Sequence, residues 1–355
     1  MKIFQCQSCD AAIYFENRFC HTCGHALGYL PLAGILTAVE PDGEQWVALA
    51  PNTPRLRYCE NAEPDVCNWM VDAEQESPFC SACQHNRVIP DLSKDGNLEH
   101  WRAMEIAKHR LFYSLMALRL PLQTREQNPE HGLVFEFLAE QTSGPSEKIL
   151  TGHDEGLIVI NLNEADDAKR AQLRAEMHEP YRTLLGHFRH EVGHYFWDVL
   201  VRDTHEIDEY RAIFGDESAD YNEALKKYYE TGAPADWQES YISAYATSHP
   251  WEDFAETWAH YLHIVDTLET AGAFGLNIRP GFNGNQDLRT KIDFNPYVAS
   301  SMEQLIASWV PLTLTMNNLN RSMGEKDVYP FVLTPRIIQK LQFIHEITHR
   351  QSGDA

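Results

Sequence analysis

His190-Glu191-Val192-Gly193-His194 is an HExxH stretch. On an α-helix, positions i and i+4 stack on one face, so both imidazoles reach a single zinc ion and Glu191 reaches the water bound to it. Phe188 before the motif and Tyr195, Phe196 and Trp197 after it supply the apolar flanks that a helix buried beneath a metal requires. The pattern predicts one helix over residues 181–201. A second copy, His345-Glu346-Ile347-Thr348-His349, runs straight into Arg350 and Gln351 and has only six residues behind it, so it reads as a chance match.

Two histidines leave a zinc ion short of a third protein ligand, with one position kept for water. The metzincin solution fails, because it needs Gly where Trp197 stands and His where Leu200 stands. The candidate is His249-Pro250-Trp251-Glu252-Asp253-Phe254-Ala255-Glu256, at the start of a helix expected over residues 251–270. Glu252 and Glu256 are i, i+4 on one face, so one carboxylate would bind zinc while the other holds a ligand histidine. His187, His260 and His263 would need a second metal to be ligands and read as supporting or surface residues. Asp198, one turn beyond His194, is either an orienting or a solvated acid.

All eight cysteines lie between Cys6 and Cys83. Cys6-x2-Cys9 and Cys20-x2-Cys23 are two knuckles, each able to place two thiolates on one tetrahedral zinc; Cys59, Cys67 and Cys80-x2-Cys83 make a second set. The start, Met1-Lys2-Ile3-Phe4-Gln5-Cys6, has no apolar export stretch, so the expected location is the cytoplasm, where thiols stay reduced and bind zinc rather than pair. Pairing in sequence order gives two structural four-cysteine sites with no position open to water, although spacing alone also allows an interleaved arrangement. Apolar runs on both sides of Pro41-Asp42-Gly43 predict a hairpin over residues 35–49, so the front module is β-rich and metal-stapled.

The 355 residues suffice for about two domains at roughly 150 residues each. The polar run Asp91-Leu92-Ser93-Lys94-Asp95-Gly96-Asn97 is the expected boundary, giving a zinc-ribbon module over 1–95 and a second domain over 96–355. Helical spacings predict helices over 98–120, 165–177, 218–229, 301–319 and 335–349; apolar β-branched runs predict strands over 133–138 and 156–162; residues 272–296 read as loop. The fold class is therefore α+β: a β-rich double ribbon followed by a mostly helical domain with a small sheet.

A net charge of −23 repels phosphate backbones and anionic lipid, and residues 1–95 carry six Lys or Arg against thirteen Asp or Glu. No nucleic-acid partner is expected. The longest apolar stretch, over residues 26–36, is broken by Gly28, Pro31 and Gly34, so no membrane span is expected.

His190 to His194 followed 58 residues later by a Glu-x3-Glu pair resembles the gluzincin clan of zinc peptidases, and the added ribbon resembles bacterial zinc-binding metallopeptidases that carry one. The resemblance covers most of the chain. It implies a zincin-like metallopeptidase domain in which His190, His194 and Glu252 bind zinc and Glu256 sits behind one of the histidines. Thermolysin-like members have Asp where Glu256 stands. In lethal-factor-like gluzincins a tyrosine seven residues before the ligand glutamate faces the zinc, which here is Tyr245, with Tyr241 as its neighbouring rival.

The expected activity is peptide-bond hydrolysis. One catalytic zinc would acidify its water, Glu191 would act as general base, and Tyr245 would donate to the oxyanion. Two further zincs would be structural, and the ribbon would be the place for a protein partner. The strand over 156–162 is the expected platform for an extended peptide or protein substrate. The competing reading is a non-catalytic scaffold in which the ribbon binds a partner and the zincin domain is degenerate. Retention of Glu191, both histidines and a third ligand favours the hydrolase.

Overall fold

Alternating apolar positions and tight turns make the front of the chain a sheet. Strands β1 (Phe4–Gln5) and β2 (Ala12–Ile13) pair across the first knuckle. Five more follow as an antiparallel meander: β3 (Ala26–Leu30), β4 (Ile35–Asp42), β5 (Gln45–Ala48), β6 (Leu56–Tyr58) and β7 (Met70–Asp72). The expected hairpin is present: Asp42 pairs with Gln45, and Gly43 takes φ +64°, a left-handed conformation that glycine adopts without steric cost. Leu30, Val39, Ala48, Ala50, Leu56 and Met70 pack as the core of this meander.

The computed structural model describes residues 1–139, 149, 151–170, 183–281 and 288–350. After the ribbon, β8 (Asn86–Val88) leads into helix α1 (Asn97–Ala117), then β9 (Val134–Leu138), β10 (Gly152–Asp154) and β11 (Leu157–Asn161). These strands form one sheet in the order β10-β11-β9-β8, with β8 and β11 parallel to β9 and β10 antiparallel to β11. The expectation that the 156–162 strand receives a peptide is corrected here. β11 is paired along both edges, to β10 and to β9, so its backbone groups are already taken; the outer strand on that side, among the described residues, is β10.

By packing, the chain divides into Met1–Ala117 with Pro121–Phe188, and Leu118–Leu120 with Arg189–Ala355. Strand β8 pairs with β9 beyond α1. Residues 171–177 of the helix expected over 165–177 lie outside the described residues, as do 181–182 at the start of the motif helix.

The second unit is helical. The motif helix spans Leu184–Trp197 and continues as a π-helical turn over Asp198–Arg202, while Ile207–Phe214 is a short helix whose eight residues gave too little periodicity to predict. Tyr221–Thr231 starts at Asp220, whose side chain accepts from the Glu223 amide. Pro250–Ala273, Met302–Ser322 and Pro335–Arg350 match the remaining expected helices. Between them, Asn277–Ile278 and Thr290–Lys291 form a two-stranded pair where only loop was expected. No described helix is long and apolar enough to cross a membrane.

Deep in this unit Lys340 Nζ lies 2.6 Å from Asp253 Oδ2, both side chains almost fully buried. Burial pushes the Asp253 carboxyl up to about 7 even though Lys340 opposes the shift. Lys340→Met therefore leaves a buried carboxylate without its cation and should destabilise the protein by about 3–5 kcal/mol, whereas Lys340→Met with Asp253→Leu should recover most of that. Urea melts of the three proteins test this, and an unchanged midpoint for the single variant refutes it.

Candidate metal centre

The site is made where the motif helix crosses the helix Pro250–Ala273. Gly193 sets the approach: a Cβ there would stand 3.0 Å from Ala255 Cα, so any larger residue would push the two helices apart. Pro250 occupies the first turn and the His249 side chain accepts from the Trp251 amide, which starts the second helix just ahead of Glu252. Glu252 then sits in a first turn, where the helix dipole favours a carboxylate.

His190, His194 and Glu252 bring three donor atoms together in a buried cluster. Glu252 Oε2 lies 3.0 Å from His190 Nε2 and 3.4 Å from His194 Nε2, and the two Nε2 atoms are 3.2 Å apart. A tetrahedral zinc with bonds of about 2.0–2.1 Å has ligand–ligand edges of about 3.3–3.4 Å, so this donor set fits that ion. Glu252 Oε2 is fully buried with no hydrogen-bond donor, which is the state of a carboxylate oxygen reserved for a cation.

The surrounding groups fix these donors. His190 Nδ1 donates to Glu256 Oε1 at 2.7 Å, leaving the Nε2 lone pair for the cluster, and Glu256 Oε2 accepts from Ser243 Oγ at 2.6 Å. The Trp251 ring packs on His194 with centroids 3.8 Å apart. The Tyr221 hydroxyl donates to Glu252 Oε1 at 2.5 Å, occupying the oxygen that the histidines leave free.

Electrostatics follow the contacts. Burial alone would raise both carboxyls, but His194 and His190 hold Glu252 well below the usual carboxylate range, and His190 brings Glu256 down to about 2. Burial and the Glu252 charge push the Tyr221 phenol up, so it remains a donor throughout the physiological range.

Glu191 is buried, at 4% exposure, and close enough to Tyr221 for its charge to add to that upward push. Tyr245, in a turn over Tyr245–Thr247, places its ring 5.9 Å from the His190 ring. Its rival Tyr241 instead lies under Lys340, whose Nζ is 4.1 Å from the ring.

Sequence reasoning missed Tyr221 and Ser243. No spacing rule points to them, since each reaches the site from an element outside the two motif helices. Because the Tyr221 hydroxyl holds Glu252 Oε1, Tyr221→Phe should weaken zinc binding at this site by about tenfold, read by chelator competition. Equal affinity in both proteins would make the hydroxyl a bystander.

The other histidines of these two helices have partners away from the cluster. His187 pairs with Glu164, His260 Nδ1 lies 2.7 Å from the Tyr329 hydroxyl, and His263 Nδ1 faces Arg189 at 2.6 Å. Asp198 pairs with Arg202 at 3.1 Å. In the C-terminal HExxH, His345 faces the Tyr261 hydroxyl and His349 Nδ1 donates to the His345 carbonyl at 2.7 Å. Among the described residues no third ligand gathers there.

The cysteines, all free of disulfides, gather in sequence order: Cys6, Cys9, Cys20 and Cys23 in one cluster, and Cys59, Cys67, Cys80 and Cys83 in a second, fully buried one. Sulfur–sulfur distances of 3.7 Å (Cys6–Cys23), 3.6 Å (Cys9–Cys20) and 3.8 Å (Cys67–Cys80) match the edge of about 3.8 Å expected for zinc–sulfur bonds of about 2.3 Å.

Residues 97–347 match the model of a family described as "Putative zinc-binding metallo-peptidase", and residues 3–94 match a zinc-ribbon domain. Uncharacterized proteins of Mycobacterium tuberculosis and Mycobacterium bovis are 39% identical over 355 residues, covering 100% of this chain and 97% of each relative. No solved structure matches. A paired-helix His/His/Glu centre behind an N-terminal ribbon, matched by sequence along nearly its whole length, makes the chain a member of the zinc-binding metallopeptidase family with an N-terminal zinc ribbon.

Proposed function

We propose that this protein is a gluzincin-type zinc peptidase that hydrolyses peptide bonds, with one catalytic zinc held by His190, His194 and Glu252 and two structural zincs in the cysteine clusters. The observation that carries the reading is the meeting of His190 Nε2, His194 Nε2 and Glu252 Oε2 at 3.0–3.4 Å with a carboxylate behind His190. Zinc bound there supplies a Lewis acid that lowers the pKa of water to about 7 and polarises a carbonyl.

Glu191 takes a proton from the attacking water and hands it to the leaving amine. Tyr245 donates a hydrogen bond to the carbonyl oxygen as it gains negative charge, and Glu256 and Tyr221 keep His190 and Glu252 in register. The substrate class is a peptide or protein, met in the cytoplasm, with the ribbon available to a protein partner.

The test is cleavage of a diverse peptide mixture by zinc-loaded protein, followed by mass spectrometry. Cleavage that stops with chelator and returns with zinc is expected, and no zinc-dependent product across the mixture counts against the reading. On any peptide so identified, Tyr245→Phe should lower kcat about 10²–10³-fold with KM little changed. Wild-type kcat in that variant would reduce Tyr245 to a packing residue.

A further inference from the structure

The helix Tyr221–Thr231 has no buried residue, and neither has the chain on each side of it: from Gly215 to Tyr241 every residue is half-buried or exposed. Its 11 residues are too few to hold a helix in water unaided, so contacts with the rest of the fold keep it in place. The half-buried residues of the helix are Tyr221, Ala224, Leu225 and Tyr228, at i, i+3, i+4 and i+7, which form one stripe along its length.

The two tyrosines of that stripe hold different parts of the metal centre. At the start of the helix, the Tyr221 hydroxyl donates to Glu252 Oε1 at 2.5 Å, and the Tyr221 ring stands edge-on to Trp251 with centroids 5.7 Å apart. Just before it, His249 Nε2 donates to the Ala219 carbonyl at 3.1 Å. Two turns on, the Tyr228 ring stands edge-on to Tyr245, with centroids 5.8 Å apart and planes at 81°.

Tyr245 therefore touches Tyr228 as well as His190, whose ring is 5.9 Å from its own. A hydrogen bond with Tyr245 also opposes the upward push on the Tyr221 phenol, so both tyrosines of the helix engage Tyr245. A phenol turns freely about two side-chain torsions unless neighbours fix its ring, and a donor that is to meet a developing oxyanion has to be fixed beforehand.

We propose that this helix is a clasp joining the metal ligand Glu252 to Tyr245, and that Tyr228 is the positioning residue that holds the Tyr245 phenol for the reaction. Tyr228 acts through Tyr245 rather than on substrate. The use made of Tyr245 rests on the peptidase reading, whereas the docking of the helix does not, so the two are tested by separate readouts.

The variants are Tyr228→Ala, Tyr228→Phe and Tyr228→Ala combined with Tyr245→Phe, all in the full-length, zinc-loaded chain. Loss of one edge-on ring contact should raise the undocked population of the helix about 2–10-fold. Trypsin should then cut Tyr228→Ala after Lys226 or Lys227, both exposed, faster than wild type by that factor, with the sites mapped by mass spectrometry. Tyr228→Phe keeps the ring and should be cut at the wild-type rate.

On a peptide that the wild type cleaves, Tyr228→Ala should lower kcat about tenfold with KM little changed, and Tyr228→Phe should restore it. Adding Tyr228→Ala to Tyr245→Phe should cost nothing further, because the hydroxyl being positioned is already gone. A merely structural Tyr228 would slow both backgrounds alike, so additive losses overturn the proposal. An unchanged tryptic rate in Tyr228→Ala, or a Tyr228→Phe as impaired as the alanine, overturns it equally. A wild type that cleaves no peptide sinks the peptidase reading, and the tryptic rates then decide the clasp alone.

Discussion

Glu191→Gln is expected to keep its full complement of zinc and lose about 10²–10⁴-fold in kcat. The amide has nearly the shape of the carboxylate but cannot accept the proton of an attacking water. Because Glu191 is not among the three converging donors, metal content should not move. Metal analysis and turnover on the same preparation separate the two effects. Turnover near wild type removes Glu191 from the mechanism; zinc loss places it in the metal's support instead. A degenerate scaffold predicts no turnover to lose, so a measurable wild-type rate is the condition for the comparison.

Much of this centre was legible in the sequence, because helix geometry converts spacing into proximity. Two i, i+4 pairs, His190/His194 and Glu252/Glu256, each present one face, and the structure puts those faces together with Glu256 on His190. Cysteine clusters in sequence order and the hairpin at Gly43 were legible for the same reason: a local rule fixes the local geometry.

What the sequence did not reveal depends on the path of the chain between elements. The apolar run around Ile158 marks a strand but not its place in the sheet, and β11 turned out to be interior. Tyr221 reaches Glu252 from a separate helix 31 residues earlier, and His109 reaches Cys67 across 42 residues. Neither contact has a motif, since each is set by tertiary packing.

Stripping zinc under reducing conditions should unfold the ribbon, the largest stability effect expected of this chain. Structural zinc contributes about 10–16 kcal/mol in small zinc-dependent modules. The ribbon's apolar side chains, the cluster of Leu30, Val39, Ala48, Ala50, Leu56 and Met70 and others such as Tyr29 and Trp69, work against a backbone ordering cost of about 1–2 kcal/mol per residue. Removing the ions also leaves sulfur pairs at 3.6–3.8 Å without the cation that would draw them together. Limited proteolysis after chelation should therefore cut within residues 1–94 first. The helices of Arg189–Ala355 should resist longer, since aromatic packing such as Phe196 on Trp258 and Phe254 on Tyr210 needs no metal. Adding zinc back should restore resistance in the ribbon. A stripped ribbon that stays as resistant as the loaded one would mean that its core suffices, and that the thiolate clusters hold metal for some purpose other than folding.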